Sequence, residues 1–153
     1  MKKLLLVSIL LAACGGGSSS TSETATTETS GTEATEVFAV ITVEAVAAGI
    51  APEASARLAV FDANDRETYE AGHVPSASWV HYDSVTAAVL PADTSAPLVF
   101  YCGGPTCGSA PTAAETAVSL GYTNVSVMRA GISGWRDAGQ PVETAAPAAT
   151  AAN

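Results

Sequence analysis

The stretch that most constrains this chain is Val99-Phe100-Tyr101-Cys102-Gly103-Gly104-Pro105-Thr106-Cys107-Gly108-Ser109. Three apolar, β-favouring residues run into a cysteine, then into a short loop, then into a helical pattern. A buried strand that turns at once into a helix leaves the cysteine at the strand's carboxyl end, where open α/β sheets hold their ligands. Gly103, Gly104, Pro105, Thr106 and Gly108 then form a loop whose amides, with the N-terminus of the next helix, offer donors and partial positive charge to an anion. A thiolate is favoured over a thiol in such a field, which makes Cys102 the candidate nucleophile. The opposing reading is an inert core residue, because free cysteine is among the most buried side chains. A position directly before Gly-Gly-Pro argues against it.

The rest of the central block reads as support for that loop. Residues 37–41 alternate as a short strand, and 42–48 fit a helix capped by Thr42 with Glu44 in its first turn. Residues 57–61 read as a buried strand ending at Asp62, and 66–70 as a helical turn or two stopped by Ala71-Gly72. A third strand is expected at 77–81, a helix at 85–89 before Pro91, and the central strand at 98–101. A helix over 113–120 with Gly121 at its C-cap, a last strand at 125–128 and a closing helix at 132–138 complete the block. Strands alternating with helices predict an α/β domain with a mainly parallel sheet covered on both faces.

The flanks carry a different message. Met1-Lys2-Lys3 is a positive start, and residues 4–11 form an apolar run too short to span a bilayer, which predicts a signal peptide. Leu11-Ala12-Ala13-Cys14 resembles the lipobox of bacterial lipoproteins, which implies a signal peptide over 1–13 and a lipidated, mature N-terminal Cys14. The alternative is ordinary secretion with cleavage nearby. Acyl chains on Cys14 would hold the protein stably on a lipid membrane, since each buried CH₂ contributes about 0.8 kcal/mol. The expected location is the cell envelope, on the periplasmic face, with Gly15 after Cys14 pointing to the outer membrane. The segment 14–36, rich in Gly, Ser, Thr and Glu, reads as a disordered tether, and 144–153 as a disordered tail. The folded domain is then 37–143.

Charge and residue counts exclude several classes. The chain of 153 residues carries a formal net charge of −9 and no basic patch, which argues against nucleic acid. Two histidines and two loop cysteines lack the spacing of a closed tetrahedral metal cage, so no metal and no cofactor is expected. His73 reads as a structural histidine at the Val74-Pro75 turn, and His81 as a surface residue. Cys107 stays open between three roles: a structural residue, the disulfide partner of Cys102, or a resolving thiol. An oxidising compartment would favour their pairing.

In order and spacing, Val60-Phe61-Asp62, Tyr69, Gly72-His73-Val74-Pro75-Ser76-Ala77, Tyr101-Cys102, Gly121-Tyr122, Ala130-Gly131-Ile132-Ser133-Gly134-Trp135 and Gly139-Gln140-Pro141-Val142 resemble a rhodanese domain. The resemblance implies a domain of about five strands and sulfur transfer through a persulfide on Cys102. Its partners would be a small sulfane-sulfur donor, thiosulfate or another, and a thiol acceptor. Two positions depart from the family's pattern. Asn64 stands where an arginine is often found after the early strand's aspartate, and Cys107 closes the loop where a basic residue often does. The loop therefore has no charged side chain. Three functions remain open: a sulfurtransferase, a thiol–disulfide redox module in which Cys102 attacks and Cys107 resolves, and a non-catalytic sulfur-binding domain.

Overall fold

One fully buried strand, whose side chains face two cores in alternation, organises the domain. The computed structural model describes residues 36–144. The expected signal peptide, Cys14, nearly all of the tether and nearly all of the tail lie outside the described residues. In chain order the elements are β1 (Ala39–Val40), α1 (Val43–Ile50), β2 (Ala59–Asp62), α2 (Arg66–Ala71), β3 (Ser78–Trp79), β4 (Leu98–Tyr101), α3 (Ser109–Ser119), β5 (Val125–Val127) and α4 (Gly131–Asp137). All five strands run parallel in one sheet of order β1-β5-β4-β2-β3. The α/β, mainly parallel, five-stranded fold read from the sequence is the fold observed.

β4 occupies the middle of the sheet and is buried along its whole length. Its side chains alternate, as the two-residue period of a strand demands. Leu98, Phe100 and then Cys102 face one core, where Phe61 stacks on Phe100 and Ala110, Ala113, Ala114 and Ala117 of α3 close the other side. Val99 and Tyr101 face a second core with Val46 of α1 and Ile132 and Trp135 of α4. The alanine face of α3 has no long side chains to hold it off the sheet. Both faces of the sheet are thereby covered, as an all-apolar parallel strand requires. The caps follow the sequence too: the Thr42 hydroxyl accepts from the Ala45 amide at 3.3 Å, and Asp65 accepts from the Thr68 amide at 2.8 Å.

Four elements differ from expectation. Residues 85–89 form turns, with Val89 N–H donating to Thr86 O at 3.1 Å, and not a helix. Val85 and Leu90 are buried as two separate anchors while Val89 is exposed, and Pro91 prevents the turn from propagating. α3 begins at Ser109, one turn earlier than the apolar pattern indicated. Its first turn contains Pro111, where the missing amide is an unpaired donor in any helix. β1 and β3 are each two residues long, shorter than their extended patterns, because they lie at the sheet edges and have a neighbour on one side only.

Candidate functional site

Cys102 follows the last residue of β4 and is only 2% exposed. The chain then leaves the sheet through residues 103–108 and enters α3. This loop is held by its carbonyls. Ile132 N–H donates to Cys102 O at 2.8 Å, and Ser133 N–H donates to Gly103 O at 3.1 Å, so the unpaired amides at the start of α4 clamp it. Cys107 N–H donates to Gly104 O at 3.0 Å, closing a turn around Pro105 and Thr106. In a trans peptide the carbonyl and amide point in opposite directions, so the amides that follow the clamped carbonyls face away from α4. Among the described residues, the amides of Gly103, Gly104, Thr106 and Gly108 donate no hydrogen bond. Four loop donors are left to an incoming group.

The clamp depends on one close approach. Gly131 sits at φ +63°, and a Cβ there would stand 2.5 Å from both Cys102 O and Gly104 N. Only glycine lets the start of α4 touch the loop backbone. Sequence reasoning used Ala130-Gly131 as a family mark and missed this role. The alanine-glycine pair, reached two residues after the apolar strand β5 ends, is the signal.

Cys102 and Cys107 are joined in a disulfide, with their Cα atoms 6.3 Å apart, within the span such bonds cover. The crevice behind the bond is lined by Cys102, Cys107, Ala110, Pro111, Met128 and Arg129, and is too narrow to hold a water molecule. Cys107 is the more accessible of the two, half-buried against the fully buried Cys102. Gly103 and Gly104 are also half-buried, while Pro105, Thr106 and Gly108 are exposed.

Beside the loop, the carboxyl end of β2 is tied into a buried network. Asp62 is fully buried and accepts from Asn64 N–H at 2.8 Å, Asn64 Nδ2 at 2.7 Å and the Tyr101 hydroxyl at 2.6 Å. The Tyr101 hydroxyl in turn accepts from Val74 N–H at 3.0 Å. Burial pushes the Asp62 carboxyl up from its usual range, against the three donors that favour its charged form. Burial, and then the Asp62 charge, push the Tyr101 phenol up as well. Because the Asn64 amide donates to Asp62, its Oδ1 turns toward the loop, 3.6 Å from where a Cβ on Gly103 would stand. Asn64 therefore presents the loop with an acceptor.

Several other polar residues have partners of their own. Arg129 is ion-paired with Glu36, and its guanidinium lies 6.0 Å from the centre of the Phe38 ring. Arg66 pairs with Glu70 at 2.9 Å and covers the Trp79 ring, whose indole donates to Asn64 O at 3.0 Å. His73 is buried, stacked on Tyr69 with Nδ1 2.8 Å from Tyr69 O, and its backbone pairs with that of Glu143. His81 is on the surface beside Asp83. Among the described residues no helix is long and apolar enough to cross a membrane.

A five-stranded parallel α/β domain with a cysteine at the carboxyl end of its central strand, in a loop of free amides, defines a class of small sheet domains built around one loop. The family model of the rhodanese-like domain matches residues 42–138, and the chain belongs to that family. It is similar to a protein of Bacillus halodurans, with 24% identity and a TM-score of 0.64 over 71% of this chain and 78% of that one. It is also similar to the rhodanese-like domain of an Anabaena protein, with 21% identity and a TM-score of 0.59 over 74% of this chain and 85% of the other. A thiosulfate sulfurtransferase from Pseudomonas aeruginosa shares the fold at 24% identity and a TM-score of 0.56, over 70% of this chain but 19% of that longer one. No curated protein matches the chain in sequence.

Proposed function

We propose that this protein is a sulfurtransferase that carries sulfane sulfur as a persulfide on Cys102. The observation that supports the reading best is the loop itself, with carbonyls clamped by α4 and the amides of Gly103, Gly104, Thr106 and Gly108 free around a strand-end cysteine. The reduced Cys102 thiolate attacks the outer sulfur of a donor such as thiosulfate or an organic persulfide. The sulfur–sulfur bond of the donor breaks, and sulfite or a thiolate leaves with the electron pair. The free amides hold the negative charge on the new terminal sulfur, as preorganised donors do at developing anions. A thiol acceptor then removes that sulfur. Membership of the rhodanese-like family and the fold shared with a thiosulfate sulfurtransferase support this chemistry.

The loop carries no charged side chain and Asn64 turns an acceptor toward it, so backbone amides are the donors offered to an anionic substrate. The Cys102–Cys107 bond favours a second reading, thiol–disulfide exchange with Cys102 attacking and Cys107 resolving. In either case the bond must be reduced before the loop can act. Acyl chains on Cys14 would hold the domain at the periplasmic face of a membrane, and Cys14→Ala should release it into the soluble fraction.

The test is mass spectrometry of the reduced protein after treatment with a sulfane-sulfur donor. Gain of one sulfur atom on Cys102, absent in Cys102→Ser, is the expected result. A protein that gains no sulfur under any donor, while exchanging disulfides readily, would leave the second reading.

A further inference from the structure

Resting on the persulfide reading above, we infer that Cys107 is the sulfur acceptor's replacement, so that the loop acts as a dithiol reducing sulfane sulfur to sulfide. The two cysteines bracket one turn, pinned by the Cys107 N–H to Gly104 O bond at 3.0 Å, with a Cα separation of 6.3 Å. That turn brings the Cys107 sulfur to the Cys102 sulfur, and the attack that discharges a persulfide needs the same approach. The crevice behind the pair admits no water and Cys102 is buried, so an external thiol competes for the persulfide with a Cys107 sulfur already held beside it. A reacting group held in the same loop outcompetes one that must diffuse in.

The cycle balances in three steps. Cys102 thiolate takes the outer sulfur of an organic persulfide, R–S–SH, giving Cys102–S–SH and the thiolate R–S⁻. Cys107 thiolate then attacks the Cys102 sulfur, forming the Cys102–Cys107 disulfide and expelling HS⁻ with the electron pair of the broken bond. Two cysteine thiolates have been oxidised to a disulfide and one sulfane sulfur reduced to sulfide. A dithiol reductant next attacks the accessible Cys107 sulfur, forming a mixed disulfide and returning Cys102 as a thiolate among the free loop amides. The reductant's second thiol resolves the mixed disulfide and frees Cys107. The disulfide observed between the two residues is the resting state of this cycle.

The experiment uses the full chain, reduced, freed of reductant and kept anaerobic. It receives an equivalent of an organic persulfide with no other thiol present. Released sulfide, free cysteine thiols and persulfide on Cys102 are then followed together. The wild type should release about one sulfide per chain while losing two thiols to the Cys102–Cys107 disulfide. Cys107→Ser should stop after the first step, holding its persulfide at least about tenfold longer and releasing no sulfide. A wild type that accumulates persulfide as long-lived as the variant's, with no disulfide, overturns the inference while leaving the sulfurtransferase reading intact. If neither protein gains sulfur, both fall. The wild-type thiol and sulfide count decides the matter even if the variant folds poorly.

Discussion

The carboxyl ends of β2 and β4 lie side by side, with Asp62 opposite Tyr101, yet they treat their polar groups in contrary ways. At β2 every buried side-chain oxygen is spent: Asp62 takes three donors, and the Tyr101 hydroxyl both donates and accepts. Past the end of β4, the loop that begins at Cys102 leaves four amides without a hydrogen bond among the described residues. Saturated polar groups fix geometry, since a buried group left unpaired costs about 1–3 kcal/mol. Unsaturated ones are affordable only where a ligand or water completes them. The first end holds the second in place, through the Ala63 N–H to Tyr101 O bond at 2.8 Å and the Asn64 side chain against Gly103. The loop is a small deficit of hydrogen bonds supported by a neighbouring surplus.

The largest effect should follow from removing the Cys102 sulfur. Cys102→Ser is expected to lower sulfur transfer by about 10³ or more, as loss of a nucleophile does elsewhere, with the circular dichroism spectrum unchanged. Retained turnover would mean the loop is not the site. Gly131→Ala comes next. Its methyl would collide with Cys102 O and Gly104 N at a positive φ, so the clamp must open, at a cost of at least about 2 kcal/mol and with most transfer activity lost. Urea unfolding and sulfur loading of the same sample separate the two losses. A stable variant with normal loading would show that the α4 clamp does not shape the loop.

On the saturated side, Tyr101→Phe leaves Val74 N–H without an acceptor and Asp62 Oδ2 without a donor. The expected loss is about 1–3 kcal/mol of stability, read as a lower urea midpoint, with the remaining folded protein still loading Cys102. Equal loss of stability and of loading per folded molecule would merge the two ends into one unit and undo the contrast drawn between them.

What the sequence shows and what it hides follows the same line. The apolar runs of β2 and β4, the glycine loop and the cap Thr42 are legible because each is local. A strand's period, a turn's glycine and a cap's hydroxyl are all decided within a few residues. The α4 clamp is not, because Ile132 and Ser133 reach Cys102 and Gly103 from thirty residues away through backbone atoms that carry no side-chain signature. Asn64 stands out as a departure and its bond to Asp62 is local, but the Tyr101 hydroxyl that fixes the same carboxylate comes from β4 and leaves no local signal. The 85–89 stretch reads as helical from its residues alone, and burial of Val85 and Leu90 on the finished domain decides against it.

The smallest effect tests whether burial or donors dominate at Asp62. Burial raises its carboxyl above the ordinary aspartate value of about 3.9, while three hydrogen bonds pull it down and lose. The folded protein therefore keeps this proton at pH values where the unfolded chain has released it. Between the ordinary value and the raised one, folding takes up a proton, and stability must fall as pH rises. Asp65, Asp83 and Asp93 are shifted the other way by hydrogen bonds to neighbouring groups, so their contribution grows with pH and masks the effect in the wild type alone. Asp62→Asn removes the titration and leaves theirs, and the difference between the two proteins isolates it. Urea midpoints from pH 3 to 8 should show the wild type losing ground to the variant as pH climbs from about 4. Whatever fixed cost the asparagine brings by facing three donors shifts that difference without changing its slope. A difference that rises with pH instead would mean the donors outweigh burial, and that the saturated end of β2 is held by a charge.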